Sequence, residues 1–136
     1  MKYLVFFLLN GCLMTTSNAQ LDLDQYRWKN RVIVLLTENF ESDKTTYFQQ
    51  RDTLNTAPEA LEDRDLVLLA VTKDFASAQE LKLWNRFNPD DAPFRFILIG
   101  KDGGVKMDET EFVPPRRIFQ TIDAMPMRRR EMRERN

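Results

Sequence analysis

After residue 30, apolar residues concentrate in three runs, separated by stretches where they recur every three or four positions. The runs are Arg31-Val32-Ile33-Val34-Leu35-Leu36, Arg64-Asp65-Leu66-Val67-Leu68-Leu69-Ala70-Val71 and Phe94-Arg95-Phe96-Ile97-Leu98-Ile99. β-Branched and aliphatic runs without polar alternation predict strands buried on both faces, as in the middle of an α/β sheet. After the first run, residues 38 to 56 predict a helix. Ser42 or Asp43 can cap it, Tyr47, Phe48, Arg51 and Leu54 lie near helical spacing, and Pro58 stops it. Ser77-Ala78-Gln79-Glu80 matches a capping box, and Leu81, Trp84 and Phe87 follow at three-residue spacing as a core face.

Asn88 to Pro93 reads as a turn. Lys101-Asp102-Gly103-Gly104 supplies residues that tolerate positive φ, so Val105-Lys106-Met107 returns as a fourth strand. Pro114-Pro115 opens a last helix with the apolar stripe Ile118, Phe119, Ile122 and Met125. Pro126 ends or kinks it, and Met127 to Arg135 reads as a frayed helical tail with Glu131 and Arg135 four apart. Upstream of the first strand, residues 21–30 form an amphipathic lead-in whose Tyr26 and Trp28 cover an edge of the core. The order is β-α-β-α-β-β-α. Right-handed crossovers and a closing hairpin then predict an α/β fold, a four-stranded mixed sheet with helices on both faces.

The first residues predict an address rather than structure. Lys2 precedes the apolar stretch Tyr3 to Leu9, and Ser17-Asn18-Ala19 places small residues before a cut between Ala19 and Gln20. The apolar stretch is shorter than the roughly 20 residues of a membrane span. The alternative is a lipoprotein signal at Leu9-Asn10-Gly11-Cys12, with Cys12 carrying the lipid. The expected organisation is a signal peptide over 1–19, a domain over 20–126 and a basic helical tail over 127–136. The product is exported, periplasmic or secreted, with no span in the mature protein.

A length of 136 residues, 43% apolar and 30% charged, fits one globular domain. A formal net charge of −1 gives no reason to expect nucleic acid as a partner. The charge is uneven, because residues 116 to 136 hold seven arginines against three acids. Arg128, Arg129 and Arg130 are therefore a candidate patch for an anionic polymer or lipid head group, against the alternative of a solvated helix end.

The chain has no histidine, which removes the commonest general base, the Ser-His-Asp arrangement and most zinc sites. Asp90, Asp91 and Asp102 are the candidates for a hard cation, but their spacing matches no EF-hand loop. Asp63-Arg64-Asp65 reads as a salt-bridged turn. Gly103-Gly104 is a hairpin signal without the spacing of a nucleotide loop. No cofactor, metal or catalytic residue is assigned. The aromatic residues fall mostly on core stripes.

The β-α-β-α-β-β-α order is that of thioredoxin. Pro93, just before the third strand, sits where that fold has its cis-proline, and Ile97 to Lys106 resembles the peroxiredoxin-type hairpin. More of the chain is similar to the bacterial branch of the DUDES-type domain, a family of unknown function related to domains of animal extracellular-matrix proteins. Three segments carry that resemblance: Leu23 to Arg31, Leu98 to Lys106, and Ile122 to Met132. It implies a thioredoxin-like fold and no established activity.

A thioredoxin or peroxiredoxin holds its thiolate just after the first strand. Here Thr37-Glu38-Asn39-Phe40-Glu41-Ser42-Asp43 stands in that place without a cysteine, and Cys12 is the only cysteine in the sequence. Glu38, Glu41 and Asp43 suit a helix start but compete with a thiolate. The expectation is a binding or interaction module rather than a thiol oxidoreductase. Its partner edge is Thr37, Glu38, Asn39 and Phe40 beside Ala92 and Pro93, and its partner is an envelope or extracellular protein. The alternative is an enzyme with a cysteine-independent site of carboxylates and arginines.

Overall fold

Seven consecutive buried residues, Arg31–Thr37, form strand β1, around which the domain is assembled. A computed structural model describes residues 22–39 and 44–136. β1 pairs in parallel with β2 (Leu66–Thr72) and antiparallel with β3 (Phe94–Ile99). β3 pairs antiparallel with β4 (Val105–Glu109), so the sheet order is β2-β1-β3-β4. Ile33 sits opposite Leu68 on one side and Leu98 on the other. The helices are α1 (Lys44–Asn55), α2 (Pro58–Asp63), α3 (Ala78–Phe87), α4 (Pro115–Asp123) and α5 (Pro126–Arg135). This is the predicted four-stranded, thioredoxin-like α/β fold, with five α-helices among the described residues.

Successive strand residues point to opposite faces, so residue parity divides the core in two. Ile33, Leu35, Phe94, Phe96 and Leu98 pack with Tyr47 and Leu54 of α1 and Ile118 and Ile122 of α4. Val32, Val34, Leu36, Ile97 and Ile99 pack with Leu83, Trp84 and Phe87 of α3. Gln50 is buried among the first set. Its Nε2 donates to the Val113 carbonyl at 2.9 Å, and its Oε1 accepts from the Val113 amide at 2.7 Å. That pair ties the segment entering α4 to α1.

Several local expectations are corrected. Glu38 and Asn39 are not helical, and α1 is described from Lys44; Phe40, Glu41, Ser42 and Asp43 lie outside the described residues, as do the signal segment with Cys12, Ala19 and Gln20. Pro58 starts a further helix rather than only stopping one, because a first-turn position needs no N–H. In α3 the capping box forms as read, with the Ser77 amide donating to Glu80 at 2.7 Å and the Glu80 amide to Ser77 Oγ at 3.3 Å. The buried stripe is Leu83, Trp84 and Phe87, whereas Leu81 is turned outward.

Tyr26 packs against the core, but Trp28 is 61% exposed with φ at 66°. Its amide donates to the Lys101 carbonyl at 2.6 Å, so this residue turns the lead-in rather than covering the core. Pro126 opens the ten-residue helix α5, so the basic tail is a docked element. The Ala92–Pro93 bond is trans. Among the described residues no helix is long and apolar enough to cross a membrane.

Candidate functional site

The carboxyl end of β1 and the turn before β3 meet as expected. Thr37 pairs with Phe94, and its hydroxyl lies 3.0 Å from the Asn39 carbonyl and 3.3 Å from that of Pro93. The Glu38 amide also donates to the Pro93 carbonyl at 3.3 Å, and the Asp74 amide donates to the Glu38 carbonyl at 3.3 Å. Asn88 holds Ala92 at both ends, accepting from its amide at 3.0 Å and donating to its carbonyl at 2.8 Å. Thr37, Glu38, Asn39, Ala92 and Pro93 are thus one edge; Phe40 is outside the described residues. Much of the edge's hydrogen-bonding capacity is spent within the chain. Phe75, following Asp74, is 76% exposed.

The arginine run is divided rather than clustered. Residues 128, 131 and 135 share one side of α5, and residues 129, 130 and 133 share the other, as 3.6 residues per turn require. Arg128 is buried, which corrects its place in a surface patch. Its guanidinium donates to the Asp63 carbonyl at 2.6 Å, to the Asp63 carboxylate, and to Asp123 at 3.2 Å. Arg64 holds Asp123 through two bonds of 3.0 and 2.8 Å, and Arg135 bonds Asp63 at 3.0 Å. Asp63-Arg64-Asp65 is indeed a salt-bridged turn, with Asp65 at φ 50°. Glu131 does not pair with Arg135. It receives Arg31 at 3.1 and 3.2 Å and Lys101 at 2.6 Å, while Lys101 also bonds Asp65 at 2.8 Å.

This network fixes its own ionisation. Hydrogen bonding from Arg128 holds the Asp63 carboxyl below its ordinary value, helped by the charges of Arg128, Arg135 and Arg64. Burial acts against the Asp123 and Glu131 carboxylates. Their bonds to Arg64 and Arg128, and to Arg31 and Lys101, outweigh it and hold both below the ordinary range. By contrast, Arg129, Arg130 and Arg133 are exposed, and among the described residues no hydrogen bond or ion pair engages their side chains.

The aspartates weighed as cation ligands are dispersed. Asp90 pairs with Arg95, Asp91 takes Lys73 at 2.8 Å and the Trp84 indole N–H at 3.0 Å, and Asp102 takes Lys106 at 2.9 Å. The bond from Lys73 is the main reason the Asp91 carboxyl lies low; for Asp102 it is the Gly104 amide, followed by Lys106. Among the described residues no three acidic, histidine or cysteine side chains converge on one point. Sequence spacing pointed to the Arg128 region but missed Glu131, Arg31 and Lys101 as one cluster. Charged residues opening the first two buried strand runs, Arg31 and Arg64-Asp65, were the available signal.

The fold has a solved counterpart. The chain is similar to reduced 2-Cys peroxiredoxin of Plasmodium vivax, with a TM-score of 0.52 and 14% identity, over 79% of this chain and 84% of that one. The likeness is one of fold. Residues 22–131 match the model of a domain of unknown function (DUF4174), and the match runs into α5. The chain belongs to the DUF4174 family.

Proposed function

We propose that the protein is an exported binding module that works without a thiol and associates with an anionic partner through the outer face of α5. The carrying observation is the division of the helix. Arg128, Glu131 and Arg135 bind the body, which leaves Arg129, Arg130 and Arg133 free and facing outward. A docked helix presents these charges at fixed spacing, unlike a frayed tail. Glu134 lies at the margin of the stripe and is the only acid on that side of the helix. The reading of export rests on Lys2, the apolar stretch and Ser17-Asn18-Ala19. The absence of cysteine after Cys12 supports thiol independence, so the thiol chemistry named for the peroxiredoxin has no counterpart in residues 22–131. Kinship with DUDES-type domains belongs to the same reading and adds no catalytic residue.

The test is co-sedimentation with vesicles of phosphatidylglycerol or of phosphatidylcholine across a salt series. An arginine near an anionic surface contributes about 1 kcal/mol, so the triple variant R129S/R130S/R133S should bind on the order of a hundredfold more weakly. An unchanged salt response in the variant rejects this surface. A second reading is favoured by Phe75, which stands exposed beside the Glu38 edge. There an extended segment of an envelope protein would seat an apolar side chain. Phe75→Ser should then abolish its capture by cross-linking, and unchanged capture would reject that edge.

A further inference from the structure

At the opposite end of the sheet from Pro93, a cavity of about 380 Å³ opens between the start of β1, the β3–β4 turn and the junction of α4 with α5. That size is in the range of small-molecule sites. Arg31, Lys101 and Lys106 form its cationic part, and Ala124, Met125 and Met127 form an apolar wall. Asp102 is the one carboxylate in the lining, and it is already committed to Lys106 and to the Gly104 amide, both at 2.9 Å. Glu131 and Asp65, which pair with Arg31 and Lys101, are not in the lining.

The cationic part of this lining holds donors that the chain does not use. The Arg31 side chain is 1% exposed and its Nε is buried away from the cavity, so Arg31 contributes charge there rather than a hydrogen bond. The Lys101 ammonium has three donors and uses two, on Asp65 and Glu131. Lys106 uses one, on Asp102. α5 adds its own. No side chain caps it, and its first helical bond runs from the Arg129 amide to the Met125 carbonyl. The Met127 and Arg128 amides therefore stand at the positive end of a ten-residue helix without helical acceptors. Thr121 supplies only lone pairs, because its hydroxyl donates to the Arg117 carbonyl at 2.8 Å.

We propose that this cavity binds a small amphiphilic carboxylate. Its carboxylate lies against Lys101, Lys106 and the first amides of α5, with Arg31 behind them, and its short apolar body lies on Ala124, Met125 and Met127. The spare ammonium and amide donors match an anionic acceptor, and the apolar wall matches a hydrocarbon part. The site goes beyond the proposed role of the outer face of α5, which uses the other side of that helix.

The experiment titrates the protein with octanoate by calorimetry, with chemical-shift mapping of the Lys101, Lys106 and Met127 amides. Octanamide serves as the neutral counterpart and inorganic phosphate as the anion without a body. Saturable octanoate binding that shifts these amides is expected, with octanamide and phosphate each at least about tenfold weaker. Lys106→Ala should weaken octanoate about tenfold, since a charge-assisted bond is lost. Ala124→Phe should abolish binding by filling the cavity. Both positions are exposed, and a far-UV spectrum checks the fold. Octanamide or phosphate binding as tightly as octanoate, wild-type affinity in both variants, or no saturable octanoate binding would each overturn the assignment. R129S/R130S/R133S should bind octanoate like the wild type, so failure here leaves the vesicle result standing, and the reverse.

Discussion

Arg31 and Glu131 stand 100 residues apart in the sequence and face each other through two side-chain bonds of 3.1 and 3.2 Å. One is the first residue of β1 and the other lies midway along α5, so this pair holds the last helix against the end of the sheet. Arg31 is 1% exposed and Glu131 17%. Removing one partner of such a pair strands a charge where water reaches it poorly. Glu131→Ala should therefore lower stability by about 3 kcal/mol, read as the urea midpoint. Replacing both residues, as in R31M/E131L, should cost less than the single change, because the buried guanidinium is no longer left unpaired and Lys101 keeps Asp65. A double variant weaker than E131A would contradict this account.

Acid should loosen the same corner. The Asp63, Asp123 and Glu131 carboxyls are all held below their ordinary values in the folded protein. A depressed carboxyl stabilises the fold at pH values above its unfolded pKa, about 4, and that contribution fades as the pH falls through the lower folded value. The urea midpoint should be flat from pH 7 to pH 5 and fall below pH 4. Glu131→Gln should flatten part of that fall. A midpoint that does not change down to pH 2 would show that these bonds do not contribute to stability.

Ser77 Oγ caps α3 by accepting from the Glu80 amide, and the Ser77 amide donates in return to the Glu80 carboxylate. Ser77→Ala should cost about 1 kcal/mol and Ser77→Asp much less, because a carboxylate accepts the same amide. Equal losses in the two variants would deny the cap.

The parts of the fold set by local pattern were legible. β3 spans the predicted Phe94–Ile99, and Ile118 and Ile122 are the buried stripe of α4. What escaped depended on partners distant in sequence. Pro126 reads as a stop when only its missing N–H is considered, yet it begins a helix because Arg128, Glu131 and Arg135 find Asp63, Arg31 and Lys101 on the body. Arg128 looks like its neighbours in a string of arginines, and only the rotation of a docked helix separates it from Arg129. The edge at Thr37 and Pro93 was legible because the strand order itself brings those residues together.

The two tryptophans give an optical check of the α3 face of the sheet and of the exposed lead-in turn. Trp84 is 1% exposed, packed between α3 and the sheet, with its indole N–H on Asp91 at 3.0 Å. Trp28 is 61% exposed beside the Arg27 guanidinium, 5.5 Å from its ring centroid. Fluorescence quenching by acrylamide should therefore resolve an open and a shielded population. Trp28→Phe should remove the open one and shift the emission to shorter wavelength, with little loss of stability. Trp84→Phe should leave a red-shifted, readily quenched spectrum. It should also lower the urea midpoint, since the smaller ring leaves a void and takes the N–H from Asp91. If Trp28→Phe instead left the quenchable fraction intact, Trp84 would have to be accessible, and the packing of α3 on the Val34 face of the sheet would be wrong.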